Sequence, residues 1–142
     1  MSKIDTQRIP NYKRVLCLSF ALERLADERA GRKLEALLDL EYIGGYVSPS
    51  VSELHNYYSS YLELRFAAAL ARCGSRKAAG VLIAYLGDIH SILREYARNE
   101  LSAISGGLDA STTREWENWL SHTMVLGAVP KYVGENLCRL KQ

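Results

Sequence analysis

Two short blocks of this chain repeat each other, and that repetition constrains the fold more than anything else in the sequence. Residues 62–74 read LELRFAAALARCG and residues 93–106 read LREYARNELSAISG. A shift of 31 places Phe66 on Ala97, Leu70 on Leu101 and Cys73 on Ile104. An earlier block, Leu18 through Leu25, falls on the same template at an offset of 48. A helical unit recurring every 30-odd residues is the mark of a stacked helical array, because one such unit cannot bury its apolar face alone.

The helices that follow these blocks repeat as well. Ala30, Leu34, Leu37 and Leu38 match Ala78, Leu82, Tyr85 and Leu86 at the same offset of 48. These in turn match Thr112, Trp116, Trp119 and Leu120 at 34. Spacing is kept inside each helix while the turns vary, as expected when core contacts are shared and turns face solvent. The first helix is expected from Pro10, with a stripe of Val15, Leu18, Leu22 and Leu25. Asp27 interrupts that pattern. The later helices close at Gly74, Gly87 and Gly106-Gly107, where a left-handed backbone explains glycine. Thr112-Thr113-Arg114-Glu115 reads as a capping box opening the last helix. No segment alternates as a half-buried strand would, so the expectation is an all-α domain. Leu22, Leu34, Phe66, Leu70, Leu82, Ile92, Leu101 and Trp116 are its predicted core.

The chain has 142 residues, enough for one domain that buries roughly 68–70% of its unfolded surface. A net charge of +2 gives no global field that would imply nucleic acid or anionic lipid, so any such case rests on local charge. The longest nearly apolar run, Val15 to Leu22, is far short of the roughly 20 residues of a membrane span. The segment MSKIDTQRIP lacks the apolar stretch of a secretory signal. Three cysteines without CxxC spacing argue against a disulfide framework, and a cytoplasmic setting is the expectation.

With these residues in view, the chain resembles the HEAT and HEAT-like family of α-solenoids. The resemblance lies in helices that run from arginine to alanine and close on leucine and glycine. One is Leu93-Arg94-x-x-Ala97-x-x-x-Leu101-x-x-Ile104-x-Gly106. Another is Phe66-Ala67-Ala68-Ala69-Leu70-Ala71-Arg72-Cys73-Gly74. It covers about residues 14–121 in three helical hairpins, at 11–41, 62–88 and 91–121. Residues 122–142 are left as a C-terminal cap, with a short helix expected from Lys131 through Val133, Leu137 and Leu140. The first hairpin lacks a closing glycine and is followed by a long insert. The resemblance implies binding rather than chemistry: most members bind proteins, some bind nucleic acid, and small bacterial ones include immunity proteins.

Leu38 to Leu62 spans 24 residues where Leu86 to Leu93 spans seven, so about 17 have been added. The insert, residues 42–61, holds five of the nine tyrosines and no lysine or arginine. Tyr42, Tyr46, Tyr57, Tyr58 and Tyr61 offer large amphipathic area at low rotamer entropy, which interfaces favour. The same segment also reads as a helix running from about Val51, capped by Ser50 and Glu53, with its rings packed on the first hairpin. The two readings are compatible.

The second candidate surface is the outer face of each second helix. With Leu82 pointing inward, Lys77, Gly80, Ala84 and Asp88 point away at about 3.6 residues per turn. The equivalent positions are Arg29, Arg32 and Ala36, then Ser111, Arg114 and Asn118. In the geometry of the resembled family this face lines the concave surface. Arg29, Arg32, Lys77 and Arg114 among small residues would make a shallow basic groove for acidic side chains or phosphates.

Catalytic and metal chemistry find little support. His55, His90 and His122 are scattered, without metal-ligand spacing. There is no nucleophile elbow, phosphate loop or dinucleotide fingerprint. Asp88-Ile89-His90 reads as a turn cap. The expectation is a non-catalytic protein-binding module of scaffold, adaptor, regulatory or immunity type, without cofactor or metal. A nucleic-acid binder using the four bases is the alternative. Alanine at Tyr46, Tyr57 and Tyr58 in turn should split the two readings of the insert. A ring packed in the fold should cost about 3–5 kcal/mol in an unfolding titration. A ring that serves only an interface should leave the midpoint unchanged and weaken partner capture. The expected outcome is at least one of each.

Overall fold

The computed structural model describes the chain at residues 12–39 and 53–131, with side chains from residue 60 onward in the second stretch. Six α-helices account for most of these residues, and no strand occurs among them. They are α1 (Tyr12–Leu25), α2 (Glu28–Leu34), α3 (Glu53–Arg72), α4 (Arg76–Tyr85), α5 (Ser91–Ile104) and α6 (Thr113–His122), with a short 3-10 helix at Glu35–Asp39 after α2. The all-α expectation holds.

Local chemistry sets the ends. Asp27, where the apolar pattern breaks, caps α2 by accepting from the amides of Arg29 at 2.8 Å and Ala30 at 3.4 Å. Those two backbone hydrogen bonds hold its carboxyl below the usual aspartate range. Ser75 caps α4 by accepting from the Ala78 amide at 3.2 Å. Thr112 caps α6 through the Glu115 amide at 3.2 Å. The returning bond of the expected box is displaced by one residue, since Glu115 accepts from the Ser111 amide at 3.2 Å.

The glycine closures follow the sequence at Gly74 and Gly106-Gly107, whereas Gly87 ends its helix without a positive φ. At the end of α3 the Ser75 amide reaches back to Leu70 at 3.0 Å and the Gly74 amide to Ala71 at 2.9 Å. This is a Schellman closure with Gly74 at φ +94°. The end of α5 repeats it, with Gly107 bonded to Ser102 at 2.8 Å and Gly106 at φ +77°. In α1 the left-handed place is taken by Ala26, φ 47°, which is why no glycine marks that turn.

The helices contact one another in two rows. One runs α1, α3, α5, and the other runs from the 3-10 helix to α4 and α6. The rows meet where α3 packs on α4 and α4 on α5. Helix α3 is the centre: Leu62, Leu64, Phe66 through Ala71 and Cys73 are all buried, whichever side of the helix they lie on. A helix whose apolar residues are buried on every side is a core element rather than a surface one, and the second half of α3 is of this kind.

Three departures from the expected pattern have physical causes. Ile92 is 63% exposed, and Leu93 fills the core in its place. The buried stripe of α5 is Leu93, Ala97 and Leu101, stepping by four, and Ile92 lies about a quarter-turn off it. Leu25 is 75% exposed, because Ala26 turns inward as the backbone goes left-handed and takes the buried place itself. Leu34 is half-buried and packs against the edge of the core.

Two segments also differ from the hairpin boundaries. Helix α3 reaches back to Glu53, so residues 53–61 of the insert form its first half, and Tyr61 packs half-buried against the core. Residues 123–131 carry no helix and return across the ends of α1 and α3. Pro10 and the expected helix beyond Lys131 lie outside the described residues.

The register makes opposite predictions for a buried and an exposed apolar position. Leu70→Ala, in the fully buried stripe, should cost about 2–5 kcal/mol in urea unfolding. Ile92→Ser should change stability by no more than about 0.5 kcal/mol, as an exposed position does. Equal losses at the two sites would mean the register is wrong.

Candidate functional site

Two shallow grooves lie on the second-helix side. The first, of about 490 Å3, runs between α4 and α6. Its floor is Gly80, Ile83, Ala84 and Leu120, and Thr113, Glu117 and Ser121 form the α6 wall. The second, of about 380 Å3, lies between α2 and residues 124–126, with Glu28, Arg32 and Glu35 on one side and Met124 and Val125 on the other. Arg76 borders both. Its guanidinium donates to the carbonyls of Leu120, at 2.6 Å, and Thr123, so it closes the C-terminal end of α6. Sequence reasoning missed Arg76, which has no periodic partner to mark it.

The predicted face is partly the groove. Gly80 and Ala84 line it as expected, and Arg32 borders the second groove. On α6 the lining residues are Thr113, Glu117 and Ser121, about one residue round from the predicted Ser111, Arg114 and Asn118. Of the four predicted bases, Arg32 alone borders one of these two grooves. Lys77 is bound to Asp39 at 2.6 Å and Arg29 lies 3.6 Å from Asp27, while Arg32 and Arg114 make no ion pair among the described residues. With Glu28, Glu35 and Glu117 on the walls, the grooves carry mixed charge rather than a positive field.

Of the predicted tyrosines, Tyr57, Tyr58 and Tyr61 fall on α3, with only the Tyr61 side chain among those described. Tyr42 and Tyr46 lie outside the described residues. Asp88 forms the turn cap read from the sequence: its Oδ1 accepts from the His90 amide at 2.8 Å and lies 2.9 Å from His90 Nδ1. Cys73 is buried, and burial pushes its thiol up to about 11, which keeps it protonated and a poor nucleophile. Among the described residues no group of three or more His, Cys, Asp or Glu is placed to hold a metal. Nor is any described helix long and apolar enough to cross a membrane.

Between α1, α3 and α5 lies a buried ion network that the repeat pattern did not announce. Arg72 Nε donates to Glu100 Oε2 at 2.7 Å, and Lys131 Nζ stands 3.5 Å from Glu100 Oε1. Arg65, two turns earlier on α3, donates to the Tyr96 hydroxyl at 2.9 Å and to Glu23 Oε1 at 3.4 Å. Its guanidinium also lies 4.7 Å from the Phe20 ring centroid and 5.4 Å from that of Tyr96. The fit is imperfect, since Glu23 Oε2 and Arg65 Nε are buried without a hydrogen bond. Burial raises the Glu23 carboxyl above its usual range, opposed in part by Arg65 and Lys131. Burial also raises the Tyr96 phenol, with Glu100 adding to the effect. The available signal was two arginines seven apart within the mostly apolar run from Leu62 to Cys73.

Compared with known protein families, characterised proteins and solved structures, the chain shows no significant match.

The two glutamates should respond differently to loss of charge. Glu100→Gln leaves Arg72 and Lys131 without a carboxylate and should cost about 3–5 kcal/mol. Glu23→Gln removes a charge that burial disfavours along with its pairing to Arg65, and should cost less than Glu100→Gln. Because the folded pKa of Glu23 is raised, its burial penalty is present at neutral pH. That penalty is relieved as pH falls through the raised value toward its unfolded one. Wild type should therefore gain stability on the Glu23→Gln variant as pH falls from neutral toward the ordinary glutamate range, read from unfolding midpoints.

Proposed function

We propose that the chain is a non-catalytic protein-binding module of HEAT-like helical-repeat character, its partner lying in the groove along α4 and α6. The observation that carries this reading is the groove's composition. Its floor is small and apolar, at Gly80, Ile83, Ala84 and Leu120, and its edges offer both charges, at Arg76 and Glu117. Such a surface suits the mixed side chains of a protein segment. The two rows of helices and the matching closures at Gly74 and Gly106 support the repeat character. The pairing of Lys77 with Asp39 and Arg29 with Asp27 weighs against a phosphate backbone as ligand.

Gly80 allows a direct test. A Cβ built there meets nothing within 4 Å, so a side chain can fill the groove without disturbing the fold. Gly80→Ala should stabilise α4 by about 0.5–1 kcal/mol, since glycine in a helix interior is unfavourable. Gly80→Trp should remain folded yet lose, by about tenfold or more, the protein that wild type recovers in affinity capture. Equal recovery of that protein by Gly80→Trp would refute the groove as its site. Capture of nucleic acid, with log affinity falling steeply and linearly against log salt, would refute the protein-binding reading itself.

A further inference from the structure

The two grooves on the second-helix side lie end to end, and Arg76 lines both. One wall passes from Ser75 in the second groove, through Arg76, to Gly80 and Ala84 in the first. The facing wall passes from Thr113 and Ser121 in the first groove to Met124 and Val125 in the second. Where they join, the Arg76 guanidinium spans them by donating to the carbonyls of Leu120 and Thr123. From Arg76 to Ala84 helix α4 alone covers about 12 Å, room for several residues of a partner rather than for one side chain.

Apolar surface marks both ends of this run. The first groove has Ile83 and Leu120 in its floor, and on the wall of the second Met124 is 90% and Val125 80% exposed. The backbone carrying that exposed pair is held on both sides, by Arg76 at Thr123 and by the Val129 amide on the Arg72 carbonyl at 2.8 Å. The charges along the walls are unequal. Glu117 stands on the first groove, Glu28 and Glu35 on the second. Glu28 and Glu117 have no ion pair among the described residues, and Glu35 accepts from the Ser75 hydroxyl at 3.0 Å, which leaves its charge in place. Arg76 faces the carbonyl end of α6, whose dipole offsets part of its charge. Arg32 is the remaining base on the walls, so carboxylates prevail over an apolar floor.

We propose that the two grooves form one track, and that its occupant is a segment of a partner protein with lysine or arginine set among apolar side chains. This rests on the reading of the first groove as a protein-binding site, and adds the second groove and the sign of the partner's charge. Apolar side chains of the segment cover Ile83 and Leu120 at one end and Met124 and Val125 at the other. Its bases meet Glu117 and Glu28, which gain the partners that the described fold does not supply. A phosphate backbone laid in the same track would meet like charge.

A phage-displayed library of random peptides, selected against the full-length chain, supplies the probes. The recovered peptides are synthesised, and fluorescence anisotropy gives their affinity for this chain, for Gly80→Trp, for Met124→Ser/Val125→Ser and for Glu28→Lys/Glu117→Lys. Met124, Val125, Glu28 and Glu117 are exposed, and a Cβ at Gly80 meets nothing within 4 Å, so unfolding midpoints should stay close to wild type. The peptides should combine net positive charge with apolar residues, and each variant should weaken them about tenfold or more. Glu28→Gln/Glu117→Gln should fall between wild type and the charge reversal. Peptides weakened by Gly80→Trp but untouched by either of the other variants would leave the first groove standing and overturn the joined track. Peptides indifferent to Gly80→Trp would overturn the first groove and this proposal together. Acidic or uncharged peptides, or no enrichment at all, would overturn the basic partner.

Discussion

Helix α3 is buried from Leu64 to Arg72, and within that stretch it carries two arginines. A guanidinium cannot lose its charge at accessible pH, so each must find an anion or a ring wherever the helix is packed. That requirement ties together the elements around it. Glu23 from α1 and Tyr96 from α5 meet Arg65, and Glu100 from α5 meets Arg72. The ion pairs need not add net stability over an apolar core of the same shape. Their effect is on arrangement, because any other packing of α1 or α5 would leave a buried charge without a partner. The orphaned Glu23 Oε2 and Arg65 Nε show that the arrangement is bought at some energetic cost.

The same central helix organises the outer surface. Its glycine closure at Gly74 turns the chain into α4 and brings Arg76 to the junction of the two grooves. Arg76 then holds the end of α6 by its carbonyls, and so sets the width of the groove between α4 and α6. On this side Lys77 is committed to Asp39 and Arg76 to the carbonyls of α6. What remains for a partner is shape and apolar floor, with charges of both signs at the rim.

What could be read in advance was whatever local spacing determines. The stripes through Leu22, Leu70, Leu101 and Trp116, the closures at Gly74 and Gly106 and the cap at Thr112 all depend on residues within a turn or two. The choice between Ile92 and Leu93 does not. Both are apolar neighbours, and only the position of α3 and α4 decides which faces in. The ion network joins residues separated by 28 and 42 positions, beyond any periodic signal. Arg76 looked like an ordinary surface arginine, since its acceptors are backbone carbonyls and leave no trace in the sequence. The groove was anticipated on α4 at Gly80 and Ala84 but misplaced by about one residue on α6, where no glycine or alanine fixes the face. The start of α3 was left open because its first turns lie outside the apolar repeat.

The account's central claim is that buried charge pairing across α3 determines how the helices are arranged. A double-mutant cycle on Arg72 and Glu100 tests it most directly, with Arg72→Met, Glu100→Met and the double variant compared in urea unfolding. The account predicts that each single change is more damaging than the double change, with a coupling of about 1–3 kcal/mol. Losses that add to within about 0.5 kcal/mol would show that the two side chains do not depend on each other, and would contradict it.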